Sequence, residues 1–324
     1  MISRVAEHCC WLSRYLERAE NTARILEVNQ TLLLDFYVPL EEQWQPVLII
    51  SGVHDYPGPY EAELVQAHMT WDNDNLCSIA SSIAFARENA RVVRETISAE
   101  MWSHLNHWNR WMQSQDAREV YMGDRHEFYN RIRRINQLFH GITDGTMAHE
   151  EPWEFLQLGK ALERACQTAR VLDVKYHTLL PNPEMAGTPV HNAHWVAILT
   201  SCSAYEPYHK LRRMADPEVA VPEFLLFHPT FPRSVRNCLY QVRRAAHAIS
   251  GHPVSQPENE AERAIGGLVG WMQLVQIGDL LDAGLHEGIT SIVNRIHEIG
   301  EAIYRTYFDI RVQIPGEWGF DPSI

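Results

Sequence analysis

The chain has 324 residues, a formal net charge of −13 at pH 7 and 45% hydrophobic residues, so it can bury a large core. The acidic balance argues against nucleic acid or an anionic membrane as its main partner. The first residues carry charges where a secretory signal needs an apolar run, and no stretch approaches the roughly 18 apolar residues of a membrane-spanning helix. No cysteines form a C-x-x-C pair. Together these observations predict a reduced, cytoplasmic protein.

The first predicted element is a long amphipathic helix over roughly residues 3–36. Its apolar positions recur three and four residues apart, as in a helix that buries one stripe. The stripe comprises Val5, Cys9, Leu12, Leu16, Ala19, Ala23, Leu26 and Leu33. A shorter helix follows in "WQPVLIIS" from Trp44, and then a loop rich in Pro and Gly.

Another long helix is predicted to begin near Ser78 and to continue without Gly or Pro to about residue 114. The preceding "WDNDN" could hold a metal ion, but its position favours an N-terminal cap for this helix through Asp74 or Asn75. Further helical patterns connect this part of the chain to residue 150.

The second half repeats the first. "LERAENTARILEV" from Leu16 and "LERACQTARVLDV" from Leu162 share nine of 13 residues at a spacing of 146, and the second helix carries the same apolar stripe. "WVAILTSC" from Trp195 resembles the segment from Trp44 at a spacing of 151. The segment from His228, which contains Ser234, faces the segment from Asp72, which contains Ser78, at a spacing of 156. Such repetition is typical of internal duplication with loop insertions.

These patterns predict an all-α fold, an internally duplicated helical bundle whose halves are related by a pseudo-twofold axis and packed as one unit. No series of alternating strands is present, and a single helical pair would bury little core by itself. We therefore predict one domain over residues 1–324. Its parts are repeat 1 (about 1–115), connecting helices (about 116–150), repeat 2 (about 151–250) and C-terminal helices (about 258–313).

The repeated Glu-Arg phrase supplies the candidate site. Its residues are Arg14, Glu17, Arg18, Glu20, Arg24, Glu163, Arg164 and Arg170. Three interpretations are open: ion pairs between the repeats, a ligand or partner site, or a solvated charged face. Small residues beside the charges, namely Ala19, Ala23, Ala165 and Ala169, favour close helix approach and hence pairing between the repeats. We expect Arg18 and Arg164, or Arg24 and Arg170, to bond carboxylates outside their own helical turn.

Local catalytic and cofactor motifs are missing from the sequence. It has no phosphate loop, dinucleotide fingerprint, nucleophile elbow or zinc-protease motif. Glu206 and His209 have the spacing of a di-iron ligand pair, but Pro207 interrupts it. The sequence therefore predicts neither a metal nor a cofactor, and it identifies no catalytic residue.

Several phrases resemble the bacterial alpha-E family, which is named for predicted helices with a Glu-Arg motif. They are "SRVAEHCCWLSRYLERAENTARILEV", "ARENARVVRETISAEMW", "LERACQTARVLDVKYHTLLP" and "FPRSVRNCL". The resemblance implies an all-helical protein, usually encoded beside a circularly permuted ATP-grasp protein and often a transglutaminase-like peptidase. The motif falls on Glu17, Arg18, Thr22 and Arg24, and again on Glu163, Arg164, Thr168 and Arg170. Cys166 departs from the pattern, because it stands where an acid is expected.

Two functions follow as expectations. The first is a non-catalytic helical partner subunit of an ATP-grasp-type peptide ligation or modification system, which docks the ligase or presents its peptide substrate. The alternative is a helical enzyme whose Glu/Arg-lined cleft acts on a peptide or on a phosphorylated or carboxylate substrate. Cross-paired charges in a closed interface would favour the first, and an open pocket over Glu17 and Glu163 would favour the second.

Overall fold

Two long helices, α1 (Ser3–Leu33) and α8 (Glu151–Leu179), form the central pair of the computed structural model. The structure describes residues 3–33, 40–179, 189–211 and 216–309. Within these ranges the regular elements are all helical, which confirms the all-α prediction. The predicted ends of the first helix at residue 36 and of the last helices near 313 lie outside the described residues.

The remaining helices follow in chain order. In the first part of the chain they are α2 (Leu40–Ser51), α3 (Ala62–Trp71), α4 (Ile79–Val92), α5 (Ala99–Met112), α6 (Gln115–Gly123) and α7 (Arg125–Thr146). After α8 they are α9 (Pro189–Ser201), α10 (Tyr205–Leu211), α11 (Pro217–Phe227), α12 (Val235–Ser250), α13 (Glu260–Leu274), α14 (Ile277–Ala283), α15 (Leu285–Ile303) and a π-helical turn (Tyr304–Phe308).

The helix predicted from Ser78 to about residue 114 is two helices, which corrects that prediction. The chain leaves the helical path between Val92 and Ser98, where β-branched residues are frequent and weaken helix propensity. The Ser98 side chain then accepts a hydrogen bond from the Met101 backbone N–H and begins α5 as its N-cap.

The N-cap of α4 is Ser78, whose side chain accepts from the Ser81 backbone N–H. The predicted cap at Asp74 or Asn75 is therefore wrong. Asn75 instead accepts from the Cys77 N–H and so fixes the turn before the helix. Ser234 caps α12 in the same way, by accepting from the Asn237 N–H.

Small residues bring α1 and α8 into close contact. A Cβ atom added at Gly159 would lie 2.3 Å from the Cys10 carbonyl oxygen and 2.6 Å from Ser13 Oγ, so a glycine is required at this crossing. Further along, both helices bury alanines completely, namely Ala19, Ala23, Ala165 and Ala169. The predicted close approach of the two repeated phrases is therefore present in the structure.

The helices around this pair are arranged similarly on its two sides. Helices α4 and α7 pack on α1, while α12 and α15 pack on α8. The short helices cross over, because α2 contacts α8 and α9 contacts α1. This arrangement carries side chains from α7 and from the turn before α12 to the charged face of α1.

The last feature of the fold is the length of its apolar helices relative to a lipid bilayer. Among the helices that the structure describes, none alone has the length and apolar composition to cross a bilayer. Helices α13 and α14 meet these criteria only together, as a pair bent by 93°.

Candidate functional site

The two Glu-Arg phrases bond each other reciprocally across the α1–α8 contact. Arg164 donates to both carboxylate oxygens of Glu17, from Nε at 2.8 Å and from Nη2 at 2.7 Å. In the other direction, Arg18 Nε donates to Glu163 Oε1 at 2.9 Å. The expectation that Arg18 and Arg164 bond carboxylates outside their own helix is confirmed.

Glu163 receives a second arginine from α1. Arg14 Nε donates to Glu163 Oε2 at 2.9 Å, so this arginine reaches across to α8 and not to Glu17 in its own helix. Burial alone would raise the pKa of Glu163, but the charges and hydrogen bonds of Arg18 and Arg14 outweigh it and lower the pKa to about 2. The Glu163 carboxylate therefore stays charged at neutral pH.

Glu17 lies at the centre of the cluster and is 0% exposed. Besides Arg164, it contacts Arg233 from the turn before α12, whose Nη1 lies 2.9 Å from Glu17 Oε1. Burial would raise the pKa of Glu17, but these two arginines hold it well below the ordinary value. His140 Nε2 on α7 lies 3.6 Å from Glu17 Oε2, and its own pKa is lowered because the ring is buried.

Glu20 continues the cluster one turn further along α1. Its carboxylate accepts from Arg233 Nη2 at 2.8 Å, from Asn136 Nδ2 at 2.6 Å and from Arg24 Nη2. Arg24 thus bonds an acid of its own helix, contrary to the cross-helix alternative. Burial and the nearby charge of Arg233 lower the pKa of Arg24 to about 10, so it remains a cation at neutral pH.

The cluster carries an excess of positive charge within an acidic protein. The guanidinium groups of Arg14, Arg18, Arg24, Arg164 and Arg233 face the carboxylates of Glu17, Glu20 and Glu163. Five cations against three anions leave +2, whereas the chain as a whole carries −13. Part of the excess is met by a neutral acceptor, because Arg233 Nη1 also donates to Asn21 Oδ1 at 2.8 Å.

The centre is closed to substrates. The carboxylates of Glu17, Glu20 and Glu163 belong to residues that are at most 3% exposed. Beside Asn21 and Arg233 lies a polar cavity of about 10 Å³, which holds no more than one water molecule. Chemistry on these carboxylates would therefore require the helices to separate.

The second copy of the phrase diverges at its later positions. Cys166 takes the place of Glu20, and its Sγ lies 3.6 Å from His297 Nε2 on α15. Arg170, the equivalent of Arg24, donates from Nη2 to the same His297 nitrogen at 3.2 Å. Of the two alternatives expected from the sequence, the pairing of Arg18 and Arg164 is therefore present, whereas Arg170 bonds a histidine and, among the residues described, no carboxylate.

Sequence analysis missed three members of the cluster, namely Arg233, Asn136 and His140. They come from two other parts of the chain, and of the three only Arg233 falls within a phrase that carries the family resemblance, "FPRSVRNCL". Arg233 also stands next to Ser234, the predicted start of a helix. Among the residues that the structure describes, no group of three or more potential ligands is placed to hold a metal ion.

Comparisons with known proteins add a family assignment and distant relatives. The family model described as "Alpha-E: a predicted alpha-helical domain with a conserved ER motif" matches residues 1–308. Uncharacterized proteins of Mycobacterium bovis and of Mycobacterium tuberculosis strain H37Rv are each 25% identical to this chain over 289 residues. The match covers 81% of this chain and 31% of each relative, so the chain spans about a third of their length. No solved structure matches.

Proposed function

The chain belongs to the Alpha-E family, and from this membership and the closed ion-pair centre we propose that it is a non-catalytic helical partner subunit. It would serve an ATP-grasp-type peptide ligation or modification system, by docking the ligase or by presenting its peptide substrate. The proposed partners, an ATP-grasp protein and a transglutaminase-like peptidase, rest on the family resemblance. A cytoplasmic location is part of the same proposal.

The use of the Glu-Arg motifs as buried ion pairs is the observation that carries this proposal. A catalytic acid or base must reach its substrate within hydrogen-bond distance. Glu17 and Glu163 instead each form ion pairs with two arginines and are shielded from solvent. Since buried pairs of this kind favour one packing arrangement, the motif is better explained as a device that fixes the scaffold. The alternative of an enzyme with an open Glu/Arg cleft gains no support from this geometry.

The lengths of the relatives also support a role in association. In the mycobacterial proteins the matched part is joined to about twice its own length of additional chain. This covalent linkage to further polypeptide in the relatives supports a role as a subunit that works in a complex.

We further propose that the chain is an internal duplication with an approximate two-fold axis, and that each half is longer than the sequence suggested. The halves would be residues 3–146 and 151–308, so that α5 to α7 correspond to α13 to α15. Helix α7 packs on α1 just as α15 packs on α8, which supports the correspondence between the halves. A matching pair of contacts also supports it: His126 Nδ1 on α7 lies 2.9 Å from Glu27 Oε1, and His286 Nδ1 on α15 lies 2.6 Å from Asp173 Oδ1.

The partner proposal is tested by co-purification and a ligation assay. The chain is expected to co-elute with the ATP-grasp protein and to be required for ATP-dependent ligation of peptide, while showing no ATP turnover by itself. An exposed charge variant, Glu88→Gln, is the matched control and is expected to leave both readouts unchanged. Robust ATP hydrolysis by the purified chain, or ligation at full rate in its absence, would reject the proposal.

A further inference from the structure

A pocket of about 280 Å³ lies between α1, α8 and α15, outside the closed ion-pair centre. Its lining includes Trp11, Arg14, Leu162, Cys166, His297 and Gly300. The volume suits a small molecule or one amino-acid residue. The pocket thus combines a cation, a thiol–imidazole pair and apolar walls.

Small residues open this pocket. By the helix correspondence proposed above, Gly300 on α15 corresponds to His140 on α7, and Cys166 corresponds to Glu20. On the α7 side, the His140 ring reaches towards Glu17, and Glu20 is bonded by Asn136. On the α15 side, Gly300 has no side chain and Cys166 has a short one. The space that polar side chains fill on one side is therefore left open on the other.

The floor of the pocket favours a negative charge. Arg170 donates to His297 Nε2, so this nitrogen is the acceptor and the imidazole is neutral. Burial and the charges of Arg170 and Arg14 lower the pKa of His297, which keeps it neutral at physiological pH. Burial raises the pKa of the Cys166 thiol, so the floor carries no anion of its own.

Arg14 supplies a cation with bonding capacity to spare. Its Nε is bonded to Glu163, and the guanidinium stacks 4.4 Å above the Trp11 ring. Glu163 is already shared with Arg18, so the local charge is not neutralised. Within the described part of the chain no hydrogen bond engages the two terminal nitrogens of Arg14. The acidic residue at the rim, Glu301, is mostly exposed and lies 3.6 Å from Arg305 Nη1.

We propose that this pocket binds a small ligand that carries a single carboxylate. The terminal nitrogens of Arg14 would bind the carboxylate in the planar, two-point geometry that guanidinium groups favour. Trp11, Leu162 and Tyr304 would cover the apolar part of the ligand. One spare guanidinium edge matches a charge of −1 better than the charge near −2 of a phosphate. This site is independent of the proposed partner role, because it involves neither ATP nor the ligase.

Alkylation of Cys166 reports on the pocket directly. Iodoacetate and iodoacetamide react alike, since the thiolate sulfur bonds to the CH₂ carbon, iodide leaves and the thiol proton passes to solvent. Only iodoacetate carries a carboxylate. The ratio of the iodoacetate rate to the iodoacetamide rate at Cys166, measured by peptide mass spectrometry, is expected to be about tenfold higher in the folded protein than in urea, because a positive pocket concentrates anions.

Two variants and their controls assign the effect to the pocket. Arg14→Met is expected to return the ratio to the value in urea, whereas Arg4→Met, which removes an exposed charge from the same helix, leaves it high. Gly300→Leu is expected to block both reagents by filling the pocket. Gly300→Ala should not, because its Cβ would make only an ordinary contact, 3.9 Å from Leu162 Cδ2. Circular dichroism and urea midpoints verify that each variant is folded.

Competition distinguishes the ligand classes. At constant ionic strength, N-acetylleucine is expected to slow alkylation of Cys166 at least fivefold more than N-acetylleucinamide, which has the same body without the charge. Inorganic phosphate should give no such protection. The proposal is overturned if Cys166 in the folded protein reacts with neither reagent, if the rate ratio equals that in urea, or if phosphate protects as well as the carboxylate.

Discussion

Replacing Glu17 by glutamine is the sharpest test of the ion-pair centre. The amide keeps the shape of the side chain but removes the negative charge that Arg164 and Arg233 share. Both guanidinium groups would stay charged in a site from which water is largely excluded. Since removal of one partner from a buried pair costs about 3–5 kcal/mol, we expect Glu17→Gln to lower the free energy of unfolding by that amount.

The assay is urea unfolding with linear extrapolation, followed by both circular dichroism and tryptophan fluorescence. Glu88→Gln is the matched control, because Glu88 also bonds an arginine, Arg91, at 2.8 Å but is 48% exposed at its side chain. It should cost less than about 1 kcal/mol. In a double-mutant cycle, Glu17→Gln and Arg164→Met should couple by about 1–3 kcal/mol. A loss no greater than that of Glu88→Gln, or strictly additive effects, would refute the buried-pair interpretation.

Three further outcomes are expected. Gly159→Ala should destabilise the protein by about 1–3 kcal/mol in urea melts because its Cβ would clash with the Cys10 carbonyl, whereas Gly141→Ala, with no atom within 4 Å of its Cβ, should be neutral or stabilising by up to about 1 kcal/mol. The pKa of Glu163 in the folded protein is about 2, against an ordinary 4.5. The charged carboxylate therefore stabilises the fold above pH 4.5, and this stabilisation is lost as the pH falls towards 2. Glu163→Gln should therefore remove about 3 kcal/mol of the acid dependence of stability, measured by urea midpoints from pH 7 to pH 2. Fragments 1–148 and 149–324 should each be unfolded or aggregated alone in circular dichroism and gel filtration but form a 1:1 complex when co-expressed, and a stably folded isolated fragment would argue against one packed unit.

The fold was predictable from the sequence where the pattern is local and repeated. The three- and four-residue spacing of the apolar stripe determines a helix by itself, so α1 begins at residue 3 as predicted and α8 begins where repeat 2 was predicted to start, at residue 151. The absence of Gly and Pro predicts one continuous helix through this stretch, whereas the structure interrupts it before Ser98. A serine preceded by β-branched residues can end one helix and cap the next where neither Gly nor Pro is present.

The site was predictable only in part, for a physical reason. The alanines beside the charges indicated close approach, and this gave the cross-pairing of Arg18 and Arg164. Besides Arg24 of the same helix, Glu20 accepts hydrogen bonds from two residues far along the chain. Asn136 is 116 residues away and Arg233 is 213 residues away. Such contacts depend on how helices pack. Although Arg233 lies in the phrase "FPRSVRNCL", no local spacing connects Arg233 or Asn136 to Glu20.

The reciprocal ion pairs select the register of α1 against α8, which the apolar stripe does not determine by itself. Leu and Ala recur every three or four residues along both helices, so a slip of α1 by one turn would again place apolar groups against apolar groups. The charges do not tolerate that slip, because Glu17 and Glu163 would lose the arginines that now bond them and would be buried without partners. The Gly159 crossing adds a steric limit, since it admits the α1 backbone at one position. The Glu-Arg residues that form the reciprocal pairs are the same in both phrases, whereas Cys166 beside the pocket takes no part in these pairs and stands where the first phrase has Glu20.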